Sequence, residues 1–260
     1  MSSDNIPAIE RAVELFQKAE SILFITGAGI SAGSGLPTYR GIGGLYDERD
    51  TEDGISIEEA LSGQMFKNRP EITWKYMAEI EAGARGKTFN PAHEAIAQIE
   101  KRWPRVWTLT QNIDGFHKLA GSRNVIEIHG TMRRLRCTGC ARRRSISSYQ
   151  ILAELPPRCV VCKNVERPEV VLFGEMLPLD EVKTLQNELD CGFDLVVSVG
   201  TSSLFPYIVD PVYRAHRNGV PTIEINPAES TEISQWIDVH IQQQATPAFE
   251  QIMANLDKSL

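Results

Sequence analysis

The sequence predicts an α/β fold, a parallel sheet with helices on both faces and a smaller module attached to it. Three observations carry this. A stretch of helical periodicity runs directly into an apolar strand and a glycine turn over 21–29. Further apolar runs at 106–110, 125–128, 195–199 and 222–225 each end in polar residues or glycine, the pattern of buried parallel strands joined by helical crossovers. Two regions then break the alternation: 41–90 reads as short helices, and 133–167 holds a cluster of cysteines.

Taken in order, Ile9, Ala12, Val13, Leu15 and Phe16 recur at helical spacing behind Pro7, which predicts an amphipathic first helix before the strand SILFIT. The turn that follows, GAGISA, reads as G-x-G-x-x-A with Ala32 in the third place. That is the Rossmann-like dinucleotide fingerprint, in which a backbone without side chains approaches a phosphate. A glycine turn that serves only tight packing is the competing reading. No G-K-[ST] follows, so a phosphate-gripping Walker lysine is missing. A hydride-transferring dehydrogenase would continue strand, helix, strand, with an acid on the ribose about 20 residues on. Here 40–100 reads mostly as helix and loop, and Asp47 and Glu48 close no second strand. Within it, IEEALSG and NRPEITWKYMAEIEAG predict a helical insertion, and 92–102 and 207–218 predict two connecting helices.

Behind the run at 106–110 comes QNIDGFHKLAG, and behind the run at 125–128 comes HGT. Ligands of open α/β sheets bind at the carboxyl ends of strands, so Gln111, Asn112, Asp114 and His129 are expected to face the same crevice as the Gly27 loop. Singly, Asn112 or Asp114 would cap the next helix and His129 would be a hydrogen-bonded strand end. Jointly they form a candidate site of an amide pair, an acid and a base.

Cys137, Cys140, Cys159 and Cys162 form C-x2-C, eighteen residues, C-x2-C, the spacing of a four-thiolate zinc site. Four thiolates close the tetrahedron to water, so such a site is structural. Disulfides are the weaker alternative in a chain that looks intracellular. Cys191 stands outside the pattern and reads as a lone thiol at an element end. The locally basic RRLRCTGCARRR, 133–144, reads as a solvated loop around the metal, or as a surface for an acidic partner.

At 260 residues the chain suffices for one large domain with a small one inserted. The expected division is 1–40, 91–132 and 168–260 for the Rossmann-like domain, 41–90 for the helical insertion and 133–167 for the zinc-binding module. A net charge of −7 argues against nucleic acid as a partner. The first twenty residues carry acids and no apolar signal core, and no run reaches the length of a membrane span. A cytoplasmic protein without membrane partners is expected.

GAGISAGSGLPTYRG, TQNIDGFHKLAG, IEIHG, the two C-x2-C pairs, PEVVLFGE and GTSS occur in this order over about residues 8–250, and together they resemble the sirtuin family of NAD-dependent protein deacylases. The resemblance implies NAD and a structural Zn2+ as cofactors and acylated protein lysines as substrate. In such a reaction the acyl oxygen attacks the nicotinamide ribose, nicotinamide leaves, and the products are free lysine and acyl-ADP-ribose. It implies His129 as the general base, with Gln111 and Asn112 at the ribose and Asp114 at the nicotinamide carboxamide. Gly27, Ala28, Gly29, Ser31, Thr38, Tyr39 and Arg40 would hold the phosphates and shield the reacting centre, with 38–45 ordering as NAD enters. Gly200, Thr201, Ser202 and Asn226 would hold the adenosine side, and Val170, Leu172, Phe173 and Gly174 would pair with an extended substrate peptide.

The sequence departs from the family pattern at several places. Thr38 replaces the usual aspartate, Tyr39 a usual phenylalanine, and Leu172 a common aromatic; GTSSLFP is one residue short; and Gln244 and Ala245 stand near where the family has G-K-A. Members that remove succinyl or malonyl groups carry Tyr-x-x-Arg on the side helix, where this chain has Met77 and Ile80, so an acetyl or longer apolar acyl group is expected. An ADP-ribosyltransferase sharing the NAD site and a non-enzymatic sensor of NAD or ADP-ribose are the alternative functions; His129 together with Asn112 favours deacylation.

Overall fold

Pro7 sits in the first turn of helix α1 (Ile6–Lys18), where its missing N–H leaves no partner unsatisfied. The five apolar residues read from the spacing are the ones this helix buries. The computed structural model, which describes residues 5–38 and 51–258, continues through β1 (Ser21–Thr26), α2 (Ala28–Ser31), α3 (Ile57–Ala60), α4 (Gly63–Asn68) and α5 (Pro70–Ala84). Then follow α6 (Pro91–Arg102), β2 (Arg105–Thr110), α7 (Phe116–Ala120), β3 (Val125–Glu127), β4 (Gly130–Cys137), β5 (Arg143–Ser145) and β6 (Glu166–Val170). The chain closes with α8 (Leu179–Cys191), β7 (Leu195–Val199), α9 (Pro206–Arg217), β8 (Thr222–Ile225), β9 (Val239–Ile241) and α10 (Ala245–Lys258).

Six strands form one sheet in the order β3-β2-β1-β7-β8-β9, parallel at every pairing. Alternate residues of β1 feed opposite cores, as a two-residue period requires. Ile22 and Phe24 pack with α1, α6 and α10, whereas Leu23 and Ile25 pack with α8 and α9. The chain leaves β1 for β2 on one side and returns through β7 on the other, so a topological switch point opens between the carboxyl ends of β1 and β7. That crevice is where ligands of such sheets bind.

A third core belongs to the smaller module and joins the helical insertion to the cysteine region. Trp74 of α5 is fully buried there; its indole N–H donates to Glu166 O at 2.9 Å, and its ring lies 5.2 Å from that of Tyr149. The three-stranded antiparallel sheet β5-β4-β6 completes the module. The ends of the basic run form β4 and β5, where three arginines pair with acids of β6, while 138–142 between them form the exposed loop beside the cysteines. Arg144 meets the buried Glu166 at 2.6 Å, and Arg134 and Arg143 flank Glu169 at 3.0 and 2.6 Å. Among the described residues no helix is long and apolar enough to cross a membrane.

Candidate active site

At the switch point the loops behind β1 and β7 touch backbone to backbone. Gly27 N–H donates to Val199 O at 3.1 Å and Gly29 N–H to Gly200 O at 2.8 Å. A Cβ on Gly29 would stand 2.6 Å from Gly200 Cα, and one on Gly27 would stand 2.8 Å from Gly200 O. The glycines are therefore needed for the approach of one loop to the other, and these two N–H groups are already spent on it. Gly27, Ala28, Gly29 and Thr38 nonetheless line a cavity of about 1260 Å³ that also takes in Gln111, Asn112, His129, Gly200, Thr201, Ser202 and Asn226. Tyr39 and Arg40, with the rest of 39–50, lie outside the described residues.

The strand-end residues interlock. Gln111 donates its side-chain amide to Thr201 Oγ1 at 2.7 Å, and Asn226 donates to Thr201 O at 2.9 Å, which ties the ends of β2, β7 and β8 together. Gln111 O accepts from His129 Nδ1 at 3.0 Å. A carbonyl only accepts, so the neutral ring carries its proton on Nδ1 and leaves the Nε2 lone pair directed elsewhere. Burial pushes the His129 pKa below its ordinary value, against the smaller opposing effect of the Gln111 carbonyl. The imidazole is thereby kept in the form that can take a proton.

Deeper in, Ser31, Asn112 and Asp114 surround a second cavity of about 100 Å³. Ser31 donates to Asp114 Oδ2 at 2.8 Å, while Asn112 donates to Gly27 O at 3.0 Å and to Ser31 Oγ at 3.2 Å. Asp114 also accepts from Phe116 N–H at 2.9 Å, a turn bond that leads into α7, whose N-cap is Gly115. Burial, the largest influence, raises the Asp114 pKa despite those two donors. With its amide nitrogen committed, Asn112 Oδ1 is a buried acceptor with no partner among the described residues. Such an orphan suits a ligand donor.

Val170, Leu172, Phe173 and Gly174 form part of the wall of the large cavity, facing Met77 and Ile80 from α5. Much of their backbone is already paired. Val171 N–H donates to His129 O, Phe173 exchanges bonds with Leu61 O and Gly63 N–H, and Leu172 N–H donates to Glu175 Oε2. Arg167, bonded to both Glu175 oxygens at 2.6 and 2.8 Å, fixes that turn. An added peptide strand would have to use the side of 170–174 turned away from Leu61 and His129.

The four cysteines converge. Their sulfurs all lie within 4.8 Å of one another, with Cys137 and Cys162 at 3.2 Å and Cys140 and Cys159 at 3.7 Å. These separations are too long for disulfides of about 2.05 Å and close to the roughly 3.8 Å edge of a tetrahedron with 2.3 Å zinc–sulfur bonds. Cys191 is the last residue of α8 and exposed.

Two aromatic residues of the cavity wall belong to none of the motifs. Tyr207, in the first turn of α9, brings its hydroxyl to His129 Nε2 at 2.6 Å, and Phe205 stacks on Tyr207 at 5.4 Å between ring centres. The shortened GTSSLFP segment is the only signal in the sequence that this wall differs.

The model of the Sir2 family matches residues 27–205. The chain is 46% identical over 255 residues to NAD-dependent protein deacylase 2 of Pseudomonas aeruginosa, covering 97% of this chain and 99% of that one. It is 34% identical over 233 residues to an NAD-dependent protein deacylase of Aquifex aeolicus, covering 89% and 93%. A solved Sir2 homologue in complex with NAD superposes with a TM-score of 0.85 at 32% identity, covering 96% of this chain and 94% of that one. A mutant Sir2 homologue bound to ADP-ribose gives 0.86 at 32% identity, covering 96% and 97%.

Proposed function

The chain belongs to the Sir2 family, and from that premise we propose that it is an NAD-dependent protein lysine deacylase that passes the acyl group to ADP-ribose and releases nicotinamide. One observation carries the reading: a half-buried imidazole with an unprotonated Nε2 stands in a single cavity whose walls are the switch-point loops on one side and an apolar channel on the other.

The residues fit the cofactor. The orphaned Asn112 Oδ1 and the small, mostly apolar cavity that Ser31, Asn112 and Asp114 edge with polar atoms suit a carboxamide on a flat ring, and the Thr201–Gln111–Asn226 knot suits a nucleoside. In this reading Gly27, Ala28, Gly29, Ser31, Thr38, Tyr39 and Arg40 lie along the dinucleotide and Gly200 to Ser202 with Asn226 lie at its adenosine end. When bound, NAD supplies the ribose carbon that the acyl oxygen attacks as nicotinamide departs. His129 accepts a proton from a ribose hydroxyl at Nε2, and the Gln111 carbonyl steadies the ring as it becomes charged. Val170, Leu172, Phe173 and Gly174 seat the peptide, and their apolar wall keeps water from the reacting centre.

Met77 and Ile80 place no cation in the channel, so an acetyl or longer apolar group is the acyl substrate and an acidic one is not. The four thiols fit zinc, which would hold the module in shape without touching the reaction. The proposed division is 1–40, 91–132 and 168–260 for the Rossmann-like domain, with 41–90 and 133–167 sharing the small one; the common core around Trp74 supports that pairing. Unbridged thiols support a cytoplasmic location.

The test is nicotinamide release from NAD by the purified protein, with and without an acetyl-lysine peptide, scored beside peptide mass and a series of acyl chains. Release that needs the peptide, yields free lysine and collapses in His129→Ala is expected. An untouched peptide, or ADP-ribose attached to protein, would sink the assignment.

A further inference from the structure

His129 Nε2, the atom that must receive the ribose proton, already has a partner. Tyr207 reaches it from the first turn of α9 with an O–H···N distance of 2.6 Å. Because Nδ1 donates to Gln111 O, Nε2 is the acceptor and the phenol is the donor. Phe205 stacks on the Tyr207 ring with planes 10° apart, and both aromatic rings stand edge-on to the imidazole at 5.8 Å. All three side chains line the large cavity. The phenol thus occupies, from the cavity side, the one hydrogen-bond site on His129 that the reaction requires to be open.

We infer that Tyr207 is a positioning residue for the base: in the ligand-free protein its hydroxyl stands in for the ribose hydroxyl at His129 Nε2, and it yields that place when the dinucleotide binds. The inference rests on His129 as the base. Its consequences are specific. A donor to Nε2 stabilises the neutral ring, so Tyr207 holds His129 unprotonated and in one tautomer before NAD arrives. The same bond must be given up on binding, so it lowers dinucleotide affinity while it preorganises the base. Burial raises the phenol to about 12, so it remains a donor across the working range.

Among the described residues, other groups around the ring do not supply this effect. The β2 end presents the uncharged Gln111, and the segment behind β6 presents the Val171 backbone N–H. Glu175, on the same cavity, is bound to Arg167; Glu127, two residues before the histidine, is bound to Lys118 at 2.6 Å; Glu232 lines the cavity without a bond to the ring.

The experiment compares the full-length protein with Tyr207→Phe, which keeps the stacked ring and removes only the hydroxyl. Histidine side chains are followed by NMR through a pH titration, with the His129 signal assigned by its loss in His129→Ala, and ADP-ribose is the ligand. Without ligand, the His129 pKa should rise by about 0.5 to 1 in Tyr207→Phe, the expected size for one net hydrogen bond. ADP-ribose should bind the variant about 2- to 10-fold more tightly. With ADP-ribose bound, the two proteins should titrate alike. In turnover, the acid limb of kcat/KM should move up with the free-enzyme pKa while that of kcat stays. An unmoved His129 pKa overturns the inference whatever the activity does, and so does weaker ADP-ribose binding, which would make Tyr207 a ligand contact in its own right. If His129→Ala kept full turnover, the base assignment would fail instead, and the titration would still report whether Tyr207 governs the imidazole.

Discussion

Gly29→Ala separates two reasons for a bare backbone at the switch point. If the glycine exists so that the β1 loop can touch the β7 loop, a methyl there must push the loops apart. Its Cβ would stand 2.6 Å from Gly200 Cα and 2.8 Å from Gly200 O, so the loops would have to part by roughly 1 Å to restore ordinary carbon contact. Overpacking of that kind costs about 1–3 kcal/mol. The Gly29 N–H bond to Gly200 O, 2.8 Å long, is stretched or lost for about 1 kcal/mol more. Reduced freedom of the unfolded chain returns less than about 1 kcal/mol, which leaves a net loss of about 1–4 kcal/mol and a melting temperature lower by roughly 3–12 °C. Gly83→Ala is the control. That helical glycine has nothing within 4 Å of its would-be Cβ, so alanine should stabilise by about 0.5–1 kcal/mol. Thermal and urea unfolding, with ADP-ribose affinity by calorimetry, read both. Should Gly29→Ala keep wild-type stability and lose only affinity, the glycine serves the ligand and the loop-contact argument is refuted.

Asp114→Asn should make the protein more stable and worse at binding NAD. Burial raises the folded-state pKa above the ordinary 3.8, so the unfolded chain ionises first and the penalty grows as pH rises from about 3.8, levelling off above the folded value. The variant's melting advantage should grow as pH rises above about 3.8 and vanish below it. Two buried histidines set the opposite slope. His93 is pulled down to about 4 by burial, and His117 well below its ordinary value. The unfolded chain therefore takes up protons first, and stability should fall as pH drops from 6.5 towards 4. His93→Gln, which can still close the capping box with Asn90, should flatten that slope in thermal melts. Cys159→Ser should lower bound zinc, measured by elemental analysis, and loosen the Trp74 core, seen as red-shifted tryptophan emission. Retained zinc at one ion per chain in that variant would count against four-thiolate ligation.

What could be read in the sequence was what the local chain decides. β7 and β8 coincide with their apolar runs because strands covered on both faces need continuous hydrophobicity, and α1 buries the residues its period marks. Elements that draw their stability from elsewhere were silent. α8 buries only Leu185, β9 is three residues at the sheet edge, and the strands of the small module are held by arginine–glutamate pairs across the ladder. The same distinction runs through the candidate site. Gln111, Asn112 and His129 follow strand ends, and strand ends of one parallel sheet must converge, so their meeting in one cavity was visible without coordinates, whereas Asp114, expected in the same crevice, lines the smaller cavity instead. The partner of His129 Nε2 was not, because Tyr207 lies 78 residues further on, in a helix whose period says nothing about its first turn. Nor was the task of Gly27 and Gly29, since the backbone they accommodate belongs to Gly200 at the end of another strand. A base can be named from where a strand stops, but the group that meets its lone pair depends on how two distant loops pack, and the identities of those loops' residues leave no periodic trace.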